Sequence, residues 1–575
     1  MKKTLILSAL TGLLFIVVSC GDDFLQKDPQ GSLSVNVLAN AAGIEGLLIG
    51  AYSLLDGWEG GWSTGGGAPW NSAASNWTYG DVYSDDAYKG TEAGDQPALE
   101  LVENYTLDSS NPYSIGRWAR LFDGIARCND VLRVVALDEV TDIDASEKAI
   151  IVAEAKFLRG HYHFELQRLW DNIPYITEDI TDTRVTNDGP KWDQIESDFA
   201  AAVADLPVQP RNGQVGRANK MVATAYLGKI QLYQNKYSDA LGNFNTVINS
   251  GTYALLDNYH ENFRLSGNNS VEAIFQIQAS VNDGSGGQNA NSGDQLSHLQ
   301  GGPGGGCCGF FQPSQNLVNN FKVVDGLPME NFNAEDLKND DGVLASEDFT
   351  PTDEPVDPRL DRTVGRRGIP YLDWGVHPGI GWVRDQAYAG PYSQIKKLYY
   401  ASESGTANDT QAGWHGAGLT AINHSIMRYA DLLLMAAECE VETGSVDKAI
   451  EYVNMIRSRA ANEDFWVKDA DGNNAANYQI STYDSGMSQS DARDAVRTER
   501  RLELGMEGHR FFDLKRWGVA QDVINTYLEE EQTKRTYLQG AVFQDKHIRF
   551  PIPLAAIDQS ADDDGNPTLV QNPGF

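Results

Sequence analysis

The chain has 575 residues and a formal net charge of −35, from 45 Lys and Arg against 80 Asp and Glu; a surface this acidic repels nucleic acid and anionic lipid headgroups, so no nucleic-acid partner is expected. The length exceeds the about 100–200 residues of one compact core and predicts either several domains or one large solenoid. Five cysteines are too few to staple such a chain, so packing must hold it.

In chain order, the first element is a secretory leader: Lys2 and Lys3, an apolar run over 5–18, then Ser19 before Cys20. The form Val17-Val18-Ser19-Cys20 is that of a lipoprotein signal, so residues 1–19 are expected to be removed and Cys20 acylated. At about 0.8 kcal/mol per buried methylene, several acyl chains make a near-permanent anchor. No later apolar run is long enough to cross a bilayer, which leaves a water-soluble body, 20–575, on a lipid tether.

Residues 57–95 form a first stretch rich in Gly, Asn, Ser, Asp, Trp and Tyr without helical periodicity. Helices are predicted over 113–137, 148–169 and 192–206. In 218–247, Leu227-Gly228, Ala240 and Phe244 fall at the small and large positions of a tetratricopeptide helix pair. A second loop-rich stretch runs from about 262 to 423. Ala437, Ala449 and Val453 then repeat the offsets of twelve and four, with an apolar stripe through Met427, Ala430, Leu434, Ala437 and Val441. A last helix is predicted over 491–517. The fold class expected is all-α, a tetratricopeptide-like helical-repeat scaffold bearing long loop-rich insertions.

The two loop-rich stretches hold Trp58, Trp62, Trp70 and Trp77, then Trp374, Trp382 and Trp414. Sugar rings present C–H faces that stack on indole and hydroxyls that need planar polar partners, so tryptophans among Asn, Asp, Arg and Gln suit a carbohydrate. The charge favours a neutral ligand, unless Arg362, Arg366, Arg367 and Arg384 gather into a basic pocket. Cys128 and Cys439 are read as buried small hydrophobes. Cys307-Cys308 is open between a vicinal disulfide and free thiols. Asp469-Ala470-Asp471-Gly472 lacks the Gly and Glu offsets of a calcium loop and reads as a turn. The run from Glu499 to Asp513 places opposite charges three and four apart, as on a salt-bridged helix face. No hydrolase, zinc or phosphate-loop motif is present, so neither catalysis, cofactor nor metal is expected.

A family resemblance rests on Asp22-Asp23-Phe24-Leu25 with Pro29, Ser84-Asp85-Asp86 with Lys89-Gly90, and Glu154-Ala155-Lys156-Phe157-Leu158-Arg159. It continues through Pro313-Ser314-Gln315-Asn316-Leu317, Glu499-Arg500-Arg501-Leu502-Glu503-Leu504 and Glu507-Gly508-His509-Arg510. Asp513-Leu514-Lys515-Arg516-Trp517-Gly518 and the terminal Asn572-Pro573-Gly574-Phe575 complete it. The chain resembles the SusD/RagB family of outer-membrane lipoproteins of Bacteroidota over 20–575. That resemblance implies a lipid-anchored, surface-exposed lid on a TonB-dependent SusC-like transporter, which captures an oligosaccharide or polysaccharide without cleaving it. It also implies ligand contacts from both stretches, here Trp70, Trp77, Asp86, Trp374, Trp382, Arg384 and Tyr388. The segment from Leu372 to Gln386 resembles subgroups associated with β-glucans such as laminarin. A peptide or other nutrient, or less favourably a surface glycoside hydrolase, are the alternatives.

Overall fold

The computed structural model describes residues 35–57, 69–182, 184–304, 308–412 and 418–575. Cys20, Trp58, Trp62, Cys307 and Trp414, with the leader and the acidic pair Asp22-Asp23, lie outside the described residues. Among the described residues no helix is long and apolar enough to cross a membrane.

Helices dominate. The longer ones are α1 (Ala41–Tyr52), α2 (Pro112–Val135), α3 (Ala145–Trp170), α4 (Trp192–Asp205), α5 (Lys220–Tyr233) and α6 (Tyr237–Asn249) in the first half. The second half has α7 (Tyr429–Thr443), α8 (Val446–Ala460), α9 (Gln489–Leu504), α10 (Arg510–Arg516) and α11 (Ala520–Glu531). Local chemistry starts them: Asn111 caps α2 and Pro112 takes its first position, where no N–H is needed, and Asp144 caps α3 by accepting from Glu147 N at 2.9 Å. From Phe157 to Trp170 every residue of α3 is buried, because α2 packs on one side and α4 on the other. Its charges there are paired: Arg159 grips Asp198 with two bonds of 2.8 and 2.7 Å, and Glu165 meets Arg117 and Arg168 at 2.7 and 2.6 Å.

Both predicted tetratricopeptide-like pairs form, α5 on α6 and α7 on α8. In the first, a Cβ on Gly228 would stand 2.7 Å from the Phe244 ring, so the small residue is what lets the helices close. The helix predicted over 491–517 is instead two, broken at 505–509. Met506 and Gly508 take positive φ of 66° and 82°, Gly508 N donates to Asp81 at 2.7 Å, and a Cβ on Gly80 would meet Gly508 O at 2.0 Å. That backbone approach, which only glycine allows, overrides a charge pattern that continues through the break.

The ion pairs of this region also differ from pairs spaced along one helix face. They are buried and cross between elements: Arg500 with Asp431, Arg501 with Asp85 and Asp86, Glu499 with Arg359 and Arg457, and Glu503 with Arg428 and Arg459.

The second loop-rich stretch hangs from a paired neck. Strand β1 (Ala87–Gly90) pairs antiparallel with β3 (Phe310–Pro313), joining the two stretches, while β2 (Ala273–Ile277) pairs antiparallel with β4 (His424–Arg428), entrance against exit. Most of the hydrophobic core is one continuous cluster; a small second one, around Tyr371, Ile395, Leu398 and Tyr399, belongs to the second stretch.

Cys128 and Cys439 are free and buried, and burial pushes both thiols above their ordinary range, as expected of small hydrophobes. Cys308 is disulfide-bonded. The soluble chain lacking residues 1–20, secreted through an oxidising compartment and then denatured, is expected to show two thiols before reduction and four after. Four before reduction would contradict the disulfide.

Candidate functional site

The satellite core carries an aromatic shelf. Residues 369–377 fold back on themselves: His377 N donates to Ile369 O, Tyr371 N to Gly375 O at 2.8 Å, and Trp374 N to Tyr371 O at 3.1 Å. Leu372 and Gly375 accept positive φ of 52° and 103° to close this turn, which lifts Trp374 to the surface. Trp374 is half-buried, its indole N–H donating to Tyr399 O at 2.9 Å while its ring meets the edge of Tyr399 at 5.9 Å. Asp373 fixes the same turn to the next loop by accepting from Ala401 N and Ser402 N.

Trp382, at the end of the short helical turn Ile380–Trp382, is half-buried too. It stands edge-on to Tyr371 at 5.7 Å and to His377 at 5.1 Å, and lies so close over Gly302 that a Cβ there would be 2.9 Å from the ring. His377 is held underneath as a neutral ring: Gly379 N donates to its Nδ1 and its Nε2 faces Ser393 Oγ, both at 3.0 Å, and burial pushes its pKa down to about 3. The two indoles therefore stand on a support pinned by hydrogen bonds, with apolar area left to stack and exposed polar neighbours at Asp373 and Asp385.

The other expected residues sit elsewhere. Arg384 and Tyr388 lie on the seam between the stretches. The Arg384 guanidinium donates to Asp95 at 2.6 Å, Glu92 at 2.7 Å and Thr91 at 3.0 Å. Tyr388 stacks on Tyr537 at 4.4 Å and donates to Glu100 at 2.5 Å. Trp70, Trp77 and Asp86 are 6%, 1% and 1% exposed. Trp77 donates to Gly293 O at 3.1 Å between Phe310 and Phe311, and Asp86 accepts from Arg501 at 2.7 Å. An enclosed ring has no face for a ligand, so these three act as internal anchors of the first stretch.

The arginines do not gather into a basic pocket. Arg366 is spent on Asp361, Arg362 on Phe465 O, and Arg367 on the carbonyls of residues 343, 344 and 347. Tyr371, His377 and Tyr399, which hold up the shelf, were not singled out by composition; Tyr399 arrives from 25 residues beyond Trp374 and only the long-range fold brings it there. Among the described residues no group of His, Cys, Asp or Glu could hold a metal ion. Asp469 closes the turn expected of it, accepting from Asp471 N and Asn473 N.

A family model described as "SusD family" matches residues 271–575, and one described as "Starch-binding associating with outer membrane" matches residues 62–232. A SusD-like protein of Formosa agariphila is 24% identical, with 97% of this chain and 96% of that protein aligned; one of Bacteroides ovatus is 21% identical, with 95% and 88% aligned. Among solved structures, a laminarin binding SusD-like protein superposes with a TM-score of 0.66 at 22% identity, over 93% of this chain and 100% of that one. Surface glycan-binding protein A from Bacteroides thetaiotaomicron, in complex with laminarihexaose, superposes with a TM-score of 0.67 at 21% identity, over 93% and 99%.

Proposed function

The chain belongs to the SusD/RagB family, and from that membership we propose that it is a non-catalytic glycan-binding lipoprotein of the outer membrane, anchored through Cys20 and exposed at the cell surface. It captures a neutral β-glucan of the laminarin type on the Trp374–Trp382 shelf and passes it to a TonB-dependent SusC-like transporter. The observation that carries this reading is a pair of half-buried indoles fixed by hydrogen-bonded and edge-on aromatic supports within the second loop-rich stretch. The laminarin- and laminarihexaose-binding neighbours support the choice of glycan.

Each stacked sugar contributes about 0.5–1.5 kcal/mol beyond its buried area, and ordering of the oligosaccharide offsets much of that gain. The isolated protein is therefore a modest binder, in the range of about 1 μM to 1 mM, and closure on the transporter adds retention.

Affinity electrophoresis of the soluble chain lacking residues 1–20 tests this. Laminarin in the gel is expected to retard the parent protein clearly more than Trp374→Ala or Trp382→Ala. Equal retardation of all three proteins, or none by any neutral β-glucan, would overturn the reading.

A further inference from the structure

A cavity of about 750 Å³ opens between α9, α11 and the loop at 330–334. It falls within the about 300–1,000 Å³ usual for small-molecule sites. Its walls come from Arg497 on α9, Trp517 just past α10, Asp522 and Thr526 on α11, and Glu330 and Asn331 from the loop that crosses them. None of its lining residues belongs to the shelf.

The floor is rigid and charge-compensated. Arg510 holds Asp85 with two bonds of 2.8 and 2.9 Å, and Arg501 donates to Asp86 at 2.7 Å and to Asn316 at 2.8 Å. The walls are different. Arg497 makes no ion pair among the described residues and its Nε has no hydrogen-bond partner. Its guanidinium lies over the Trp517 ring at 4.8 Å, and Trp517 is itself tied to Glu438 by its indole N–H at 3.1 Å. Stacking thus orders a planar fork of donors that no carboxylate among the described residues hydrogen-bonds.

Glu330 and Asp522, both exposed, likewise make no ion pair among the described residues. Asn333 donates to Glu530, fastening the crossing loop to α11. Phe332, Leu514 and Val523 supply apolar surface between these groups.

Unspent donors and unspent acceptors in one cavity suit neither a polyanion, which Glu330, Asp522 and Glu530 repel, nor a cation, which the three arginines repel. They suit a ligand that both donates and accepts, with vicinal hydroxyls for planar polar groups and C–H faces for the apolar wall. We propose that this cavity is a second carbohydrate site, taking one or two neutral sugar units between Arg497, Asp522 and the loop at Glu330. The choice of sugar as the hydroxyl-rich ligand rests on the function proposed above; the position of the site does not.

The test uses the soluble chain lacking residues 1–20, with laminaribiose as probe in titration calorimetry. In the double variant Trp374→Ala/Trp382→Ala the shelf is removed, and one saturable site is expected to remain. Adding Arg497→Ala, or Thr526→Trp to fill the cavity from an exposed helical position, is expected to weaken that remaining site by about tenfold or more. Circular dichroism checks that each variant is folded, and Thr526→Trp removes no internal ion pair.

If the parent binds laminarin but the double variant binds no laminaribiose, the cavity proposal fails and the shelf stands. Retained binding that neither Arg497→Ala nor Thr526→Trp weakens also overturns the cavity. Should the parent bind neither laminarin nor laminaribiose, both readings fall.

Discussion

Arg428→Ala is expected to cost about 3–5 kcal/mol of stability, the usual penalty for removing one partner from a buried charge network. Arg428 is 1% exposed and serves three carboxylates: Glu503 at 2.5 Å, Glu272 at 2.9 Å and Glu507 through two bonds of 2.8 and 2.9 Å. Glu503 is also held by Arg459 and Arg359, and Glu507 by Lys396. These cations keep the Glu503 carboxyl down at about 2 despite its burial. Deleting Arg428 leaves these carboxylates buried with fewer counter-charges, a loss the remaining partners offset only in part. Urea unfolding measures it, with Arg127→Ala as control; the Arg127–Asp123 pair is more than a third exposed on both sides and is worth about 0–1 kcal/mol. A midpoint for Arg428→Ala no lower than that of Arg127→Ala would contradict the central role of the network.

Acid is expected to unfold the protein well above pH 2. Burial lowers His161, His298 and His509 to about 4, and His163, His377 and His424 to about 3. An unfolded imidazole binds its proton near 6.5, so each of these groups contributes full stability above that pH. Each loses about 1.4 kcal/mol per pH unit as the pH falls from 6.5 to its folded value. Carboxyls raised by burial oppose this: Glu103 to about 7, Asp340 to about 6, and Asp81, Asp86 and Glu531 in the same direction. They bind protons in the folded state first, and their gain stops at the unfolded carboxylate range near pH 4.

Below about pH 4.5 a second loss adds to that of the histidines. Glu165 and Glu507, held below the usual carboxylate range by their cationic partners, and Glu503 then protonate more readily unfolded than folded. The loss therefore begins near pH 6.5, where the histidines outnumber the opposing carboxyls, and continues below pH 4.5. Urea midpoints at pH 7, 5 and 4 check the curve, and His377→Gln, which keeps a donor and an acceptor at that position, should flatten its upper part. Equal stability at pH 7 and pH 4 would contradict the buried neutral histidines.

What the sequence revealed follows the range of the forces involved. The helix pairs were legible because close approach needs a small residue opposite a large one, and Gly228 against Phe244 leaves that mark within seventeen residues. The break at 505–509 left none: it is imposed by residues 75–81, more than four hundred positions away, while the charge periodicity of the helix runs on. The arginine network is legible in the sequence only as charges spaced along one helix, since spacing reveals neighbours on one helix but not partners on another. At the site, Trp77 and Trp382 have similar polar neighbours along the chain. One ends between Phe310 and Phe311 and the other above Tyr371, a difference made by strand pairing that composition does not encode. Arg497, unlike Arg500 and Arg501, makes no ion pair among the described residues, and only the assembled cavity distinguishes it.

The most direct test of the central claim is a crystal structure of the soluble chain lacking residues 1–20 with laminarihexaose. The account predicts sugar rings stacked on Trp374 and Trp382, with hydroxyls near Asp373 and Asp385. An oligosaccharide ordered elsewhere on the body, with both indoles bare, would contradict it.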